Sequence, residues 1–339
     1  MTRRTTSIDL ALQGGGAHGA FTWGVLDRLL EEESLKIEGI SGTSAGAMNA
    51  AALISGFVAN GPKGARETLE LFWRHVSEAA RFSPLQRNLM DVLLGRWTLD
   101  SSPFFIATDL ISRLFSPYDL HQGDVNPLRR ILSEVIDFEA VARAPIKIFV
   151  TATSVSTGRA RIFRNADVTP EALLASACLP TMFQAIEIDG ELYWDGGYSG
   201  NPTITPLVRE CVSHDTILIQ INPIERKERP RSAAEITNRL NEVSFNAVLL
   251  KELRMIALLR QAANPGEKEG AQWAGMRIHR ITSEMMTTLS ASSKLLAEWE
   301  FLCLLREEGR RAAEAFLDSH SADIGERSTL DLDALLEGT

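Results

Sequence analysis

The sequence predicts an α/β protein with a mostly parallel sheet, on two observations. A strand-like run, a glycine turn and a helix-like run follow one another twice within the first 60 residues. That is a βαβα opening, which places parallel strands side by side. Later, residues 146–153 form a near-continuous apolar run. A parallel strand covered on both faces requires such a run.

The elements follow in order. A first strand over 7–13 leads into Gly14-Gly15-Gly16-Ala17-His18-Gly19 and a helix over 17–33, which Glu31-Glu32-Glu33-Ser34 ends. Ala17, Ala20 and Gly24 share one helical face, so this helix is expected to lie close against a sheet. A strand over 37–41 runs into Gly42-Thr43-Ser44-Ala45-Gly46 and an alanine-rich helix over 45–57, ending near Gly61-Pro62. Residues 80–125 carry Phe82, Trp97, Phe104, Phe105 and Phe115 among prolines, without a sheet pattern. They read as an inserted helical cap over the C-terminal strand ends, or as an ordinary helical part of the core. As a cap, 80–115 would line a channel to the strand ends, with Trp97 in its wall. Strands at 146–153 and 160–164 follow, then a hairpin over 186–194 turning on Asp189-Gly190. A helix at 203–213 and a strand at 216–221 come next. From about 232 the pattern is helical, over 233–261 and 284–317, with a short strand at 276–281 between. The tail after 319 is acidic and weakly patterned and is expected to fray.

Composition narrows the function classes. The 339 residues carry 35 Lys and Arg against 44 Asp and Glu, a net charge of −9. No dense basic stripe appears, which argues against a nucleic-acid partner. Cys178, Cys211 and Cys303 are sparse and unclustered. They read as buried thiols, with neither a disulfide framework nor a zinc site. No run reaches the ~18 apolar residues of a membrane span. The expectation is a soluble cytoplasmic protein.

Two glycine-flanked stretches carry the chemistry. Gly42-Thr43-Ser44-Ala45-Gly46 is G-x-S-x-G at a strand-to-helix junction, the nucleophile elbow. The sharp turn exposes the Ser44 hydroxyl, and Gly42 and Gly46 let strand and helix approach. The helix N-terminus beginning at Ala45 favours negative charge. Ser44 needs a base. His18, His75, His121, His214, His279 and His320 all sit where a structural histidine is expected. Asp195, at the end of a hairpin strand and before Gly196-Gly197, can present a carboxylate into a cleft. It would serve as base once desolvated and held beside Ser44. The first loop also fits G-x-G-x-x-G on Gly14, Gly16 and Gly19. A dinucleotide site lacks its acidic residue after the second strand, which runs straight into Ser44.

Together these stretches resemble the patatin-like phospholipases, serine acyl hydrolases with a Ser–Asp dyad. Gly14-Gly15-Gly16-Ala17-His18-Gly19, Gly42-Thr43-Ser44-Ala45-Gly46 and Asp195-Gly196-Gly197 carry the resemblance, with Ala175-Ser176-Ala177-Cys178-Leu179-Pro180 as a fourth segment. It covers about 7–222. Residues 223–339 lie outside it and read as a helical extension packed on the same domain, the tail from 319 weakly ordered. The resemblance implies a three-layer α/β/α domain with extra helices and hydrolysis of lipid esters by Ser44 and Asp195. It implies an oxyanion hole built from Gly14, Gly15, Gly16 and Ala45. The phospholipid, lysophospholipid and acylglycerol classes stay open. No cofactor and no metal is expected, and the partner is a lipid or acyl ester. Transient contact with a membrane surface and homo-oligomerisation stay open. Two departures stand out. Position 18 is usually Arg or Lys in the family, and His18 would carry charge only below pH ~6.5. Ser154 follows Thr153 where an Asp is common. An acyltransferase using the same dyad, or a low-turnover acyl-binding regulator of the same fold, are the alternatives.

Overall fold

The computed structural model describes residues 5–112, 115–120, 126–226, 229–231, 233–262 and 268–334. His121 lies outside them. Eight strands form one sheet: β1 (Thr6–Leu12), β2 (Leu35–Gly42), β3 (Lys147–Ser154), β4 (Ala160–Arg164), β5 (Ile186–Ile188), β6 (Glu191–Asp195), β7 (Asp215–Ile219) and β8 (Arg277–Ile281). The order is β5-β6-β3-β2-β1-β7-β8, with β4 on β3. The pairs β3–β2, β2–β1, β1–β7 and β7–β8 are parallel. β4 and β6 run antiparallel to β3, and β5–β6 is the expected hairpin.

Alternation along the strands builds the layers. Leu10, Leu12, Ile217 and Ile219 enter one core, shared with the helices Gly19–Leu29, Ala45–Ala80, Pro170–Ser176 and Trp299–His320. Ala11, Phe149, Leu218 and Ile278 enter a second, shared with the helices Thr205–Glu210, Ala233–Ala262 and Lys268–Gly275. The result is a three-layer α/β/α domain.

Several expectations need correcting. The small-residue face of the first helix does not rest on the sheet at Gly24. A Cβ there would stand 1.9 Å from the Arg306 carbonyl, so Gly24 lets the helix Trp299–His320 close in. The second helix breaks at Asn60 and Gly61 as expected, then restarts at Pro62 and continues to Ala80. Pro is well placed there because a first-turn N–H has no helical acceptor. Residues 284–317 are not one helix. A short turn, Met285–Thr288, and a 3-10 turn, Ser292–Leu295, precede the helix Trp299–His320. Serine side chains compete for the backbone here: Ser293 Oγ donates to the Ser290 carbonyl at 2.7 Å.

The C-terminal third packs on the same sheet and core. It supplies β8 and a helix of the first core. The tail, however, does not fray at 319. The helix reaches His320, Gly325 N–H donates to Asp215, and Ile324 and Leu332 are buried.

The 80–125 segment contains the helices Leu89–Leu93, Pro103–Ser112 and Pro117–Leu120. Leu99 N–H donates to Ser292 Oγ at 3.0 Å and Arg87 pairs with Glu298, which ties the segment to the 292–298 turn. Trp97 stacks on Phe301 at 5.1 Å and lies under the Arg87 guanidinium. Among the described residues, no helix is long and apolar enough to cross a membrane.

Candidate active site

Three strand ends converge at one edge of the domain. β1 ends in the glycine loop, β2 in Ser44, and β6 in Asp195. Ser44 sits between β2 and the helix Ala45–Ala80 with φ 54° and ψ −124°. A non-glycine residue in this region is strained, and such strain clusters at functional sites. The turn is held on all sides. Thr43 N–H donates to the Leu12 carbonyl, Thr43 Oγ1 to the Gly200 carbonyl, and Ser44 N–H to Ser176 Oγ at 2.9 Å. Gly46 is required by contact: a Cβ there would stand 2.3 Å from the Leu12 carbonyl. Gly42 backs onto the same helix start, and Gly19 lies against Ala45.

Asp195 closes the site. Its backbone is fixed by Cys178 O, which accepts Asp195 N–H, and by Thr153 Oγ1, which donates to Asp195 O. Gly196 and Gly197 pack too tightly against Thr151 and Phe245 to carry side chains. The Asp195 carboxyl is buried and accepts Gly197 N–H at 2.7 Å. Burial pushes its pKa up to about 7, while the Gly197 N–H and the Ser44 hydroxyl work against that rise. The carboxyl therefore titrates near neutrality beside a serine that is partly open to solvent. The neighbouring Cys178 thiol is pushed up to about 12 by burial and then by the Asp195 charge, so it stays protonated.

Opposite lies the glycine loop, with Gly16 at φ 58°. Among the described residues, the N–H groups of Gly15, Gly16 and Ala45 have no protein acceptor. Gly14 differs: its N–H donates to Asn201 Oδ1 at 2.7 Å. Gly14 therefore drops out of the expected donor set, because its one proton is already spoken for.

His18, where the family usually has Arg or Lys, takes a structural place. It is buried and shares a 2.7 Å hydrogen bond with Ser293 Oγ. Burial, then the charges of Lys294 and Arg226, hold its pKa well below the usual histidine range. It is neutral throughout the physiological range, so it pins the loop and brings no charge to it. The other described histidines are engaged away from Ser44. His75 faces Glu134, His214 lies beside Gly275, His279 bonds Asp215, and His320 bonds Asp323. Ser154, at the second departure, donates to Glu191. Among the described residues no group of three His, Cys, Asp or Glu side chains is placed to hold a metal ion.

The sequence profile described as patatin-like phospholipase matches residues 10–208, which include all three converging strand ends. The chain belongs to the patatin-like phospholipase family. Members act on lipids as acyl hydrolases. The uncharacterized protein YjjU of Escherichia coli K12 is 33% identical over 114 residues, which is 32% of this chain and 29% of YjjU. Among solved structures, VipD from Legionella pneumophila aligns with a TM-score of 0.40 at 17% identity. That alignment covers 94% of this chain and 67% of VipD.

The motifs made Ser44, Asp195 and the glycines legible in the sequence. Ser176, Asn201 and Thr153, which hold their backbones, were not. Ser176 and Asn201 sit 132 and 187 residues from the groups they bond.

Proposed function

We propose that this patatin-like protein hydrolyses carboxylic ester bonds of lipids through Ser44 and Asp195. The observation that carries the reading is a carboxyl poised near pH 7 beside a strained serine against which the glycine loop packs; among the described residues the N–H groups of Gly15, Gly16 and Ala45 have no protein acceptor. Ionised Asp195 accepts the Ser44 proton as the hydroxyl oxygen attacks the acyl carbonyl. The carbonyl π pair moves onto oxygen, and N–H groups of Gly15, Gly16 and Ala45 stabilise that charge. Collapse expels the alcohol, which takes the proton from Asp195. Asp195 then takes a proton from water as it attacks the acyl-enzyme carbonyl, and passes that proton to Ser44 Oγ as the Oγ–acyl bond breaks and the fatty acid leaves.

A carboxylate at its ordinary pKa of ~3.9 is a poor base. Burial of Asp195 raises its basicity towards the working pH, which is where general-base catalysis is most effective.

The test is fatty-acid release from phosphatidylcholine, lysophosphatidylcholine and diacylglycerol, by wild type and Ser44→Ala. Release by wild type alone supports the reading, and the preferred substrate names the class. Wild-type protein that binds acyl ligands without release, or passes the acyl group to an added alcohol in preference to water, would contradict hydrolysis.

A further inference from the structure

Two of the three N–H groups assigned to the oxyanion, those of Gly15 and Gly16, belong to a loop of consecutive glycines. Glycine peptides reorient with little steric opposition, so their aim must be set from outside. The Gly14–Gly15 peptide has such a constraint. Its carbonyl, Gly14 O, accepts Asn222 Nδ2 at 2.7 Å. In a trans peptide the N–H points opposite to the C=O. Gly15 N–H therefore points away from Asn222 for as long as that bond holds.

An asparagine amide can present either end. Asn222 could offer Oδ1 to Gly14 O, and the two acceptors would repel. What decides is Lys294. Its Nζ donates to Asn222 Oδ1 at 2.7 Å. An ammonium has three donors and no acceptor, so only the oxygen end of the amide can face it. The nitrogen end is thereby turned to Gly14 O. The Asn222 backbone cannot compensate, because its N–H and that of Ile221 both donate to Gln13 Oε1, at 2.8 and 2.9 Å. The Lys294 backbone is packed on the loop as well: a Cβ on Gly16 would stand 2.4 Å from its carbonyl.

We propose that Lys294 is a positioning residue for the oxyanion loop, fixing through Asn222 the plane of the Gly14–Gly15 peptide and so the aim of Gly15 N–H. The inference rests on the reading of Ser44 as nucleophile. The charged groups facing Lys294 are Glu242 and Arg226. Glu242 is already shared by Arg226 and Arg239. Burial, with the Arg226 charge, pulls the Lys294 ammonium down to about 8. The ammonium form, which has no acceptor, is the form that fixes the amide.

Three variants test this: Lys294→Met, which keeps length and removes the donor; Lys294→Arg, which keeps a donor without an acceptor; and Asn222→Asp, which leaves nothing to donate to Gly14 O. Each is measured for kcat and KM on a p-nitrophenyl ester, for phosphonylation of Ser44 by a fluorophosphonate, and for thermal midpoint. Loss of a whole oxyanion donor costs about 10²–10³ in kcat. A misaimed one should cost roughly 10–100-fold. Lys294→Met and Asn222→Asp are expected to lose that much in both kcat and phosphonylation. KM should stay within about threefold and the thermal midpoint should hold. Lys294→Arg should recover part of the rate. Full rates in Lys294→Met would overturn the proposal while leaving Ser44 as nucleophile. So would a rate loss that follows a lowered thermal midpoint and is not recovered by Arg. If wild-type Ser44 is not phosphonylated, the nucleophile reading fails and the proposal fails with it.

Discussion

Asp195 and Asp215 are both buried carboxyls of the central sheet, at opposite ends of their strands. Asp195 makes the last residue pairing of β6, opposite Ala152 and just before two glycines, with one backbone N–H and a serine hydroxyl as partners. Asp215 opens β7 and is saturated. Arg277 donates to both its oxygens, and His279 and Gly325 N–H share Oδ1. Burial acts against the charge in both. At Asp195 little opposes it, and the pKa rises to about 7. At Asp215 the hydrogen bonds and charge of Arg277, with His279 and Gly325, outweigh it and hold the pKa well below the usual carboxylate range. The same residue type thus titrates near neutrality in one place and stays charged in the other, where it anchors the C-terminal tail. Partners, more than burial, decide which.

The comparison can be broken first at activity. Asp195→Asn should lower kcat on an ester by about 10³-fold or more, as loss of a base from a nucleophile–base pair does. Asp215→Asn should leave kcat within about twofold. Equal losses in two folded variants would mean the two carboxyls do not differ in role.

Stability should answer in the opposite sense. Asp215→Asn breaks a buried ion pair and leaves Arg277 without its charge partner. That costs about 3 kcal/mol, read from urea unfolding at pH 7. An unchanged midpoint would remove the anchoring role.

The pH dependence of stability sharpens the contrast. The folded pKa of Asp195 lies above the ordinary carboxyl value of 3.8. Its contribution is therefore fully present below pH ~4 and is lost as pH rises through about 7. Asp195→Asn should be more stable than wild type at pH 8, by an amount on the order of a few kcal/mol at most. The gap should close towards pH 4. Asp215 runs the other way: its depressed pKa contributes stability above pH ~4 that is lost on acidification. Wild type should therefore lose part of its lead over Asp215→Asn as the pH falls below 4. Parallel curves for the two variants would contradict the assignments.

A smaller effect concerns Trp97. Stacked on Phe301 beneath Arg87, its truncation to Ala should cost roughly 2–3 kcal/mol of stability. Preference among ester chain lengths should stay unchanged. A shifted preference would return Trp97 to a channel wall.

What the sequence made legible was local. The elbow, the glycine loop and the Asp-Gly-Gly turn are contiguous, because their steric demands fall on neighbouring residues. The parallel strands were legible from apolar runs and turn residues. What stayed hidden depends on distant partners. Nothing around His18 in sequence says it will be neutral, since Ser293, Lys294 and Phe301 close over it from almost 300 residues away. Gly14 looked like a donor until Asn201 took its proton. The 284–317 pattern read as one helix because helical periodicity does not register serine side chains folding back on the chain at 290–293. The acidic tail looked frayed because its anchors, Asp215 and Ile278, lie in other strands.

The central claim is a serine activated by a carboxylate without a histidine. Its most direct test is kcat/KM on a p-nitrophenyl ester for wild type, Asp195→Asn, and single substitutions at each of the six histidines. The account predicts a wild-type profile rising through one ionisation near pH 7. It predicts near-complete loss in Asp195→Asn and retained turnover in every folded histidine variant. A folded histidine variant that loses turnover, alongside an active Asp195→Asn, would contradict it.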